Sequence, residues 1–230
     1  IGSGNTIIAC KNTYRNYMGC ECVLKFLERN NMPVLTKKKH DHLMYDDECI
    51  YILKEGVVKV SMILEDGREF NVTYLKAPDV ISLFLNELNQ VTIHPLRVRI
   101  ESEEAGFYCI SKEMFEDLVE DDENVKNCID TYYREKLKKA IYRQQFMTMN
   151  SKTGAVCTFV YRLIPLFGKT TSKGILIDLF VTNDDIAGFC GISTRNSVNR
   201  ILRGLRDEKV IQIVNNKILI KNVDYLKQYA

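Results

Sequence analysis

No run of apolar residues in this chain approaches the roughly 18 that a membrane helix requires, so nothing reads as a span. Net charge is scarce too. The 32 Lys and Arg against 30 Asp and Glu leave +2 at pH 7, with a pI near 8.1, so a basic surface must be local. Only three histidines occur, His40, His42 and His94, which supplies acid–base catalysis thinly. Paired carboxylates, a Ser/His/Asp or Cys/His constellation and a complete phosphate loop are all missing. Gly168-Lys169-Thr170-Thr171 has the tail of such a loop, but position 163, where the motif needs its first glycine, is Leu. The sequence therefore does not read as an enzyme. The leading stretch IGSGNTIIAC has no basic n-region, no long apolar core and no Met, and reads as a processing remnant rather than a signal peptide. A cytoplasmic protein is expected.

What is present is ordinary globular material: 46% hydrophobic and 27% charged residues, enough over 230 positions for two small domains or one larger one. Eight cysteines (Cys10, Cys20, Cys22, Cys49, Cys109, Cys128, Cys157 and Cys190) are scattered among apolar neighbours. In a reducing compartment they read as free thiols acting as small hydrophobes. Cys10, Cys20 and Cys22 cluster, with Cys49 as the one candidate fourth ligand for an iron–sulfur site. Their spacings are not those of a C-x2-C run. His40 and His42, beside Lys37–Lys39, are read as a solvated loop or strand edge, and no metal is expected there.

Three textures follow one another. From about 43 to 110 the pattern is that of short strands: YILKEGVVKVSMIL (51–64), a Glu65-Asp66-Gly67 turn, EFNVTYL (69–75), RVRIES (97–102) and AGFYCI (105–110). Such spacing suggests a sandwich or rolled barrel. Pro78 and Pro95 bracket DVISLFLNELNQVTIH (79–94), long enough for a short helix and a binding loop. From Ser111 to about Asn150 there is neither Gly nor Pro, which predicts one long helix. Val125, Ile129, Tyr133, Leu137 and Ala140–Ile141 form a stripe along it. The stripe serves either as a dimer seam or as packing against the chain's own sheet. From Ser151 a third texture starts, with a helix through AVCTFVYRLIPLF (155–167) kinked or ended by Pro165. A loop over 169–174 leads to a short strand in GILIDLF.

The stretch GFCGISTRNSVNRILRGL (188–205) is the most informative. Thr182 can cap a short helix with Asp185 at the third position of a capping box, and Ile186, Ala187 and Cys190 form its apolar side. Gly191 ends that helix where a left-handed backbone is needed. Ser193 or Thr194 then caps a second helix whose Val198, Ile201, Leu202 and Leu205 recur at i, i+3, i+4 and i+7. At about 100° per residue, Asn196, Arg200 and Arg203 point away from that apolar face, with Asn199 and Arg195 on its shoulders. VIQIV (210–214), Asn215-Asn216-Lys217 and ILIK (218–221) predict a hairpin. Together these make a winged helix-turn-helix. Arg reads guanine and Asn reads adenine in a major groove, while Ser193, Thr194 and Arg195 at the helix start are suited to phosphates.

VTNDDIAGFCGISTRNSVNRILRGLRDEKVI (181–211) resembles the DNA-binding domain of the Crp/Fnr family of bacterial transcription regulators. The order β-roll, long helix, winged helix-turn-helix matches that family over nearly the whole chain. Residues 208–230, and Gly191 to Arg200 with one residue more than in the cAMP receptor, are similar to its PrfA-like branch. The resemblance implies an α+β fold with a cyclic-nucleotide-binding-like β-roll (1–110), a long connecting dimerisation helix (111–150) and a winged helix-turn-helix domain (151–230). It implies a homodimer on a two-fold symmetric duplex DNA operator and, for an activator, RNA polymerase as a further partner. Carried over by position, Arg195, Asn196, Asn199 and Arg200 fall on the DNA-contacting part of the recognition helix.

On the effector side the match departs from the family. Cyclic-nucleotide binders use a Gly-Glu pair for the ribose and an Arg-Ser pair for the phosphate. Ser82-Leu83 and His94-Pro95 stand at those places here, with His94 and Arg97 the nearest cationic substitutes. A cyclic phosphate without its Arg lacks the charge-assisted partner it calls for, so no cAMP response is expected. In PrfA-like proteins glutathione binds beside the strand equivalent to NVTYLK (71–76). Tyr74 and Lys76 keep their counterparts for a glutathione-like thiol ligand, while Thr73 and Leu75 differ. Tyr74 as a plain roll residue, Lys76 as a solvated strand end, and a regulator with no small ligand remain open, as does an iron–sulfur or thiol redox sensor on the same fold.

Overall fold

Residues 49–53 read CIYIL, leaving no polar face for water, and in the computed structural model both faces of that strand are covered. The structure describes residues 21–44, 46, 48–82, 96–149 and 151–230. It divides into a unit ending at Lys139 and another running from Ala140 to Ala230. The cysteine cluster formed by Cys10, Cys20 and Cys22, and the Leu83, His94 and Pro95 positions, lie outside the residues and side chains described.

The first unit opens with helix α1 (Glu21–Arg29) and continues through eight strands: β1 (Val34–Lys38), β2 (His42–Leu43), β3 (Cys49–Glu55), β4 (Val57–Ile63), β5 (Glu69–Lys76), β6 (Asp79–Val80), β7 (Leu96–Ile100) and β8 (Glu104–Ser111). They form two antiparallel sheets, ordered β1-β8-β3-β6 and β2-β7-β4-β5. Tyr51, Leu53 and Phe107 of the first sheet meet Val58, Val60, Leu75, Val98 and Ile100 of the second in one core. The opposite face of the first sheet, with Ile50, Ile52, Tyr108 and Ile110, is covered by α1 and by the helices that follow. Strand β3 is thus buried on both sides, which is why its sequence does not alternate. Gly56 turns β3 into β4 at φ +96°, where a Cβ would lie 2.7 Å from the Glu104 carbonyl oxygen and 2.8 Å from the Ala105 Cα. No other residue fits there. Lys37 and Lys38 belong to β1, an edge strand, and His40 sits in the turn after it at φ +69°.

The helical stretch after Ser111 is not one helix. Ser111 caps α2 (Lys112–Asp121), accepting from the Met114 N–H at 3.2 Å, and α3 (Glu123–Met149) starts afresh after Asp122. Asp122 leaves helical geometry and its carboxylate accepts from the Asn124 backbone N–H at 2.8 Å, so it serves the second helix as an N-terminal partner. The predicted stripe also divides. Val125 and Ile129 are buried on the sheet, with Tyr132 rather than Tyr133 as the fully buried aromatic, whereas Leu137 and Ile141 are 62% and 59% exposed. The first half is buried on the chain's own roll, and Leu137 and Ile141 further along are exposed.

Two polar contacts pin α3 to β6. The Tyr132 hydroxyl donates to the Val80 carbonyl at 2.6 Å, and the Lys136 ammonium donates to both Asp79 carboxylate oxygens at 3.0 Å. Burial pushes the Asp79 carboxyl above its ordinary value, and Lys136 and Tyr132 pull against that without cancelling it.

The second unit contains α4 (Lys152–Phe167), β9 (Gly168–Thr171), β10 (Gly174–Ile177), α5 (Asn183–Cys190), α6 (Arg195–Asp207), β11 (Ile211–Val214), β12 (Lys217–Ile220) and α7 (Val223–Lys227). Its sheet runs β11-β12-β10-β9, antiparallel throughout. Of the two readings of Pro165, an end to the helix is ruled out: α4 continues to Phe167 and closes with the Gly168 N–H on the Ile164 carbonyl. One expectation is corrected here. Residues 168–171 are not a loop: they pair with Gly174–Ile177 as a hairpin, all four residues of β9 exposed on the sheet edge. Among the described residues, no helix is long and apolar enough to cross a membrane.

Replacing Lys136 with Met leaves the buried Asp79 carboxylate uncompensated and should destabilise the chain by about 3 kcal/mol near neutral pH, measured by urea unfolding. Without Lys136 the Asp79 pKa rises further, so the folded variant binds a proton that the unfolded chain releases. The deficit should therefore shrink as pH falls towards the ordinary carboxylate value. A deficit that is constant or grows on acidification contradicts the assignment.

Candidate nucleic-acid interface

Helix α5 begins with a complete capping box. The Asp185 N–H donates to the Thr182 hydroxyl oxygen and the Thr182 N–H to the Asp185 carboxylate, both at 3.0 Å. Ile186 and Ala187 are buried beneath it, and Cys190 is half-buried. Gly191 ends the helix at φ +61°, ψ +30°, and Ile192 then turns inward to 5% exposure. Thr194, rather than Ser193, caps α6. Its hydroxyl oxygen accepts from the Ser197 N–H at 3.3 Å.

The position of α6 is set by Val198, Leu202 and Leu205, which are 0%, 7% and 2% exposed, with Ile201 half-buried beside them. Burying three such side chains is worth several kcal/mol, at about 1.5–3 kcal/mol each. It fixes the rotation of the helix. Ser193, Thr194, Arg195, Asn196, Asn199, Arg200 and Arg203 are all exposed in consequence. Among the described residues, Arg195, Arg200 and Arg203 make no ion pair within the fold. One solvent face thus carries guanidinium and carboxamide groups that nothing internal uses. Arg195 and Asn199 also line a cleft with Phe180, Thr182 and Asn216, between the start of α5 and the neighbouring hairpin.

That hairpin, β11 and β12, turns through Asn215 and Asn216 at φ +48° and +61°, the geometry of a two-residue turn matched to strand twist. Its turn end is anchored by a contact that has no local signature in the sequence. The Asp178 carboxylate accepts from Lys217 of β12 and from Lys169 of β9, each at 2.5 Å. Hydrogen bonds from those two lysines hold the Asp178 carboxyl down at about 2. Further along, the Arg143 guanidinium lies over the Phe189 ring, 5.9 Å from its centroid, and burial lowers its pKa to about 10.

In the first unit, Tyr74 and Lys76 lie on the same side of β5 by alternation but in different surroundings. Tyr74 is 6% exposed and stands opposite Lys59, whereas Lys76 is exposed at the strand end opposite Val57. Lys59 is fully buried and donates to Glu69 at 2.9 Å, and Ser61 donates to the same carboxylate at 2.7 Å. Burial would raise the Glu69 carboxyl, but these two bonds outweigh it and hold it below the ordinary value. Ser82 is completely buried, and its hydroxyl oxygen accepts from the Tyr51 N–H at 2.7 Å. No cluster of three His, Cys, Asp or Glu fit to hold a metal occurs among the described residues, His40 and His42 included.

Residues 155–229 match the family described as the Crp-like helix-turn-helix domain. Over 209 residues the chain is 48% identical to the lactate racemization regulatory protein of Lactiplantibacillus plantarum, covering 90% of this chain and 95% of that one. It is 30% identical over 217 residues to the listeriolysin regulatory protein of Listeria monocytogenes, covering 90% and 88%. Its fold is similar to that of a Crp-family transcriptional regulator from Thermus thermophilus (TM-score 0.69, 16% identity, covering 85% and 96%). A CooA variant from Carboxydothermus hydrogenoformans is also similar in fold (TM-score 0.71, 18% identity, covering 90% and 94%).

A Cβ at Gly191 would meet nothing within 4 Å, so the only penalty for adding one is the left-handed backbone. Gly191→Ala should lower stability by about 1 kcal/mol and Gly191→Asn by clearly less, in thermal melts. Equal losses for the two variants would mean that packing, not backbone conformation, dictates the glycine.

Proposed function

This chain belongs to the Crp/Fnr family of transcription regulators, and from that premise we propose that α6 is the recognition helix of a homodimer reading a two-fold symmetric DNA operator. The observation that carries this reading is the exposed Arg and Asn face of α6, held outward by its buried apolar stripe. Asn196, Arg200 and Arg203 are aimed at base edges. Arg195 and Asn199 stand on the shoulder, and Ser193 and Thr194 with the positive end of the helix meet phosphates. The second copy is supported by α3. Leu137, Ile141 and Tyr142 are large apolar residues about 60% exposed on one helix, continuing the line of Val125 and Ile129 beyond the roll. Two such chains paired along that seam present recognition helices about 34 Å apart, one turn of duplex.

We read the regulator as unresponsive to cAMP. Ser82, at the ribose position, is buried and already bonded to the Tyr51 backbone, which supports that reading. Tyr74 and Lys76 remain the proposed place for a small thiol effector, with Lys76 the accessible partner for a peptide carboxylate. The 48% identical regulator of lactate racemization makes genes of lactate stereochemistry the first operators to test.

The test is selection of genomic fragments by the purified protein, followed by competition binding with and without cAMP. Arg200→Ala should weaken binding by about 1–3 kcal/mol and relax preference at one base position, and cAMP should change nothing. Wild-type sequence preference in the variant would overturn the docking of α6, and tightening by micromolar cAMP would overturn the effector reading.

A further inference from the structure

Cys49 opens β3 and Cys109 lies near the end of β8. Their register sets Cys49 opposite Ser111 and Tyr51 opposite Cys109, so the two cysteines are diagonal neighbours on one face of the sheet. Both are free and half-buried, at the margin of the core between the two sheets. Cys109 is near enough to the Cys49 thiol to disfavour its charged form, and it also lies beside the Tyr51 hydroxyl. That hydroxyl in turn accepts from the Asp46 N–H at 3.2 Å. Diagonal positions on an antiparallel pair stand about 7–8 Å apart, with Cβ atoms somewhat closer. A disulfide usually spans Cα atoms about 4.4–6.8 Å apart, so closing this diagonal requires a small shift of the backbone.

We propose that Cys49 and Cys109 are a peroxide-oxidisable dithiol that closes to an intrachain disulfide between β3 and β8. One thiolate attacks an oxygen of hydrogen peroxide, breaking the O–O bond and giving a sulfenic acid and, with one proton, water. The second thiol attacks that sulfur. The S–S bond forms, the S–O bond breaks, and a second water leaves with the released proton. In sum two thiols and one hydrogen peroxide give one disulfide and two waters.

Geometry makes the bridge reversible rather than a permanent staple. Closing across a diagonal requires β3 and β8 to shift, and the strain left in such a disulfide makes it more easily reduced. Its place also gives it leverage, since Ser111 opposite Cys49 is the residue that caps α2. The thiols of the second unit differ. Burial pushes Cys157 up to about 11 and Cys190 up to about 12. At Cys49, burial first and then the neighbouring Cys109, Asp46 and Glu48 raise the thiol. Thiolate is scarce there at neutral pH, so oxidation should quicken as pH rises.

The experiment treats the full-length protein with hydrogen peroxide at pH 7 and pH 8.5, quenches with iodoacetamide and maps unreduced peptides by mass spectrometry. The Cys49 and Cys109 peptides should appear joined, with loss of two hydrogens, several-fold faster at the higher pH, and should separate on adding dithiothreitol. Cys49→Ser and Cys109→Ser should each abolish the bridge and leave a sulfenic acid that dimedone traps, while Cys157→Ser should not affect it. The wild-type map decides the matter if a serine variant fails to fold. Cys49 and Cys109 recovered separately alkylated, separately over-oxidised or bridged to other cysteines would overturn the proposal, whether or not the chain binds DNA.

Discussion

Everything functional in the second unit follows from the burial of one stripe on α6. Val198, Leu202 and Leu205 can leave water only if the helix is rotated so that Asn196, Arg200 and Arg203 enter it. The capping box at Thr182 and the left-handed Gly191 then fix where α6 begins relative to α5. The hairpin of β11 and β12 is tied by Lys217 to Asp178, which also holds Lys169, so one carboxylate joins both sides of the small sheet. Cations are used internally there and left free on α6. That contrast, more than the overall charge of +2, is what supports the proposal that this face meets a polyanion.

In the first unit the comparable constraint is the fastening of α3 to the roll. Helix α3 is fastened by Val125, Ile129 and Tyr132 and by the Lys136–Asp79 pair, and only beyond these does its apolar line become exposed at Leu137 and Ile141. A buried ion pair adds little net stability over a well-packed apolar pair, but it punishes misplacement.

Local chemistry was legible in the sequence and distant chemistry was not. The Thr182–Asp185 box, the Gly191 turn and the α6 stripe each lie within a few consecutive residues, and their geometry matches what those residues require. No Gly or Pro marks the break at Asp122. Only a carboxylate bonding two residues ahead reveals it. Pro165 lies in the last turn of α4 without ending it, which the sequence alone leaves open beside a kink. Strand β9 reads as a loop because all four of its residues face solvent, and pairing with β10 alone makes it a strand. The ties from Asp79 to Lys136 and from Asp178 to Lys217 join residues 57 and 39 positions apart, which no periodicity reports. The resemblance to Crp/Fnr regulators supplied the order of the parts. The division of the α3 stripe between roll and open surface came only from the structure.

Hydroxyl-radical footprinting of the wild-type protein on a selected DNA fragment tests the account most directly. Two protected patches on one face of the duplex, centred about one helical turn apart and related by two-fold symmetry, are predicted. A single unsymmetric patch, or protection unchanged when Asn196, Arg200 and Arg203 are all replaced by Ala, would contradict it.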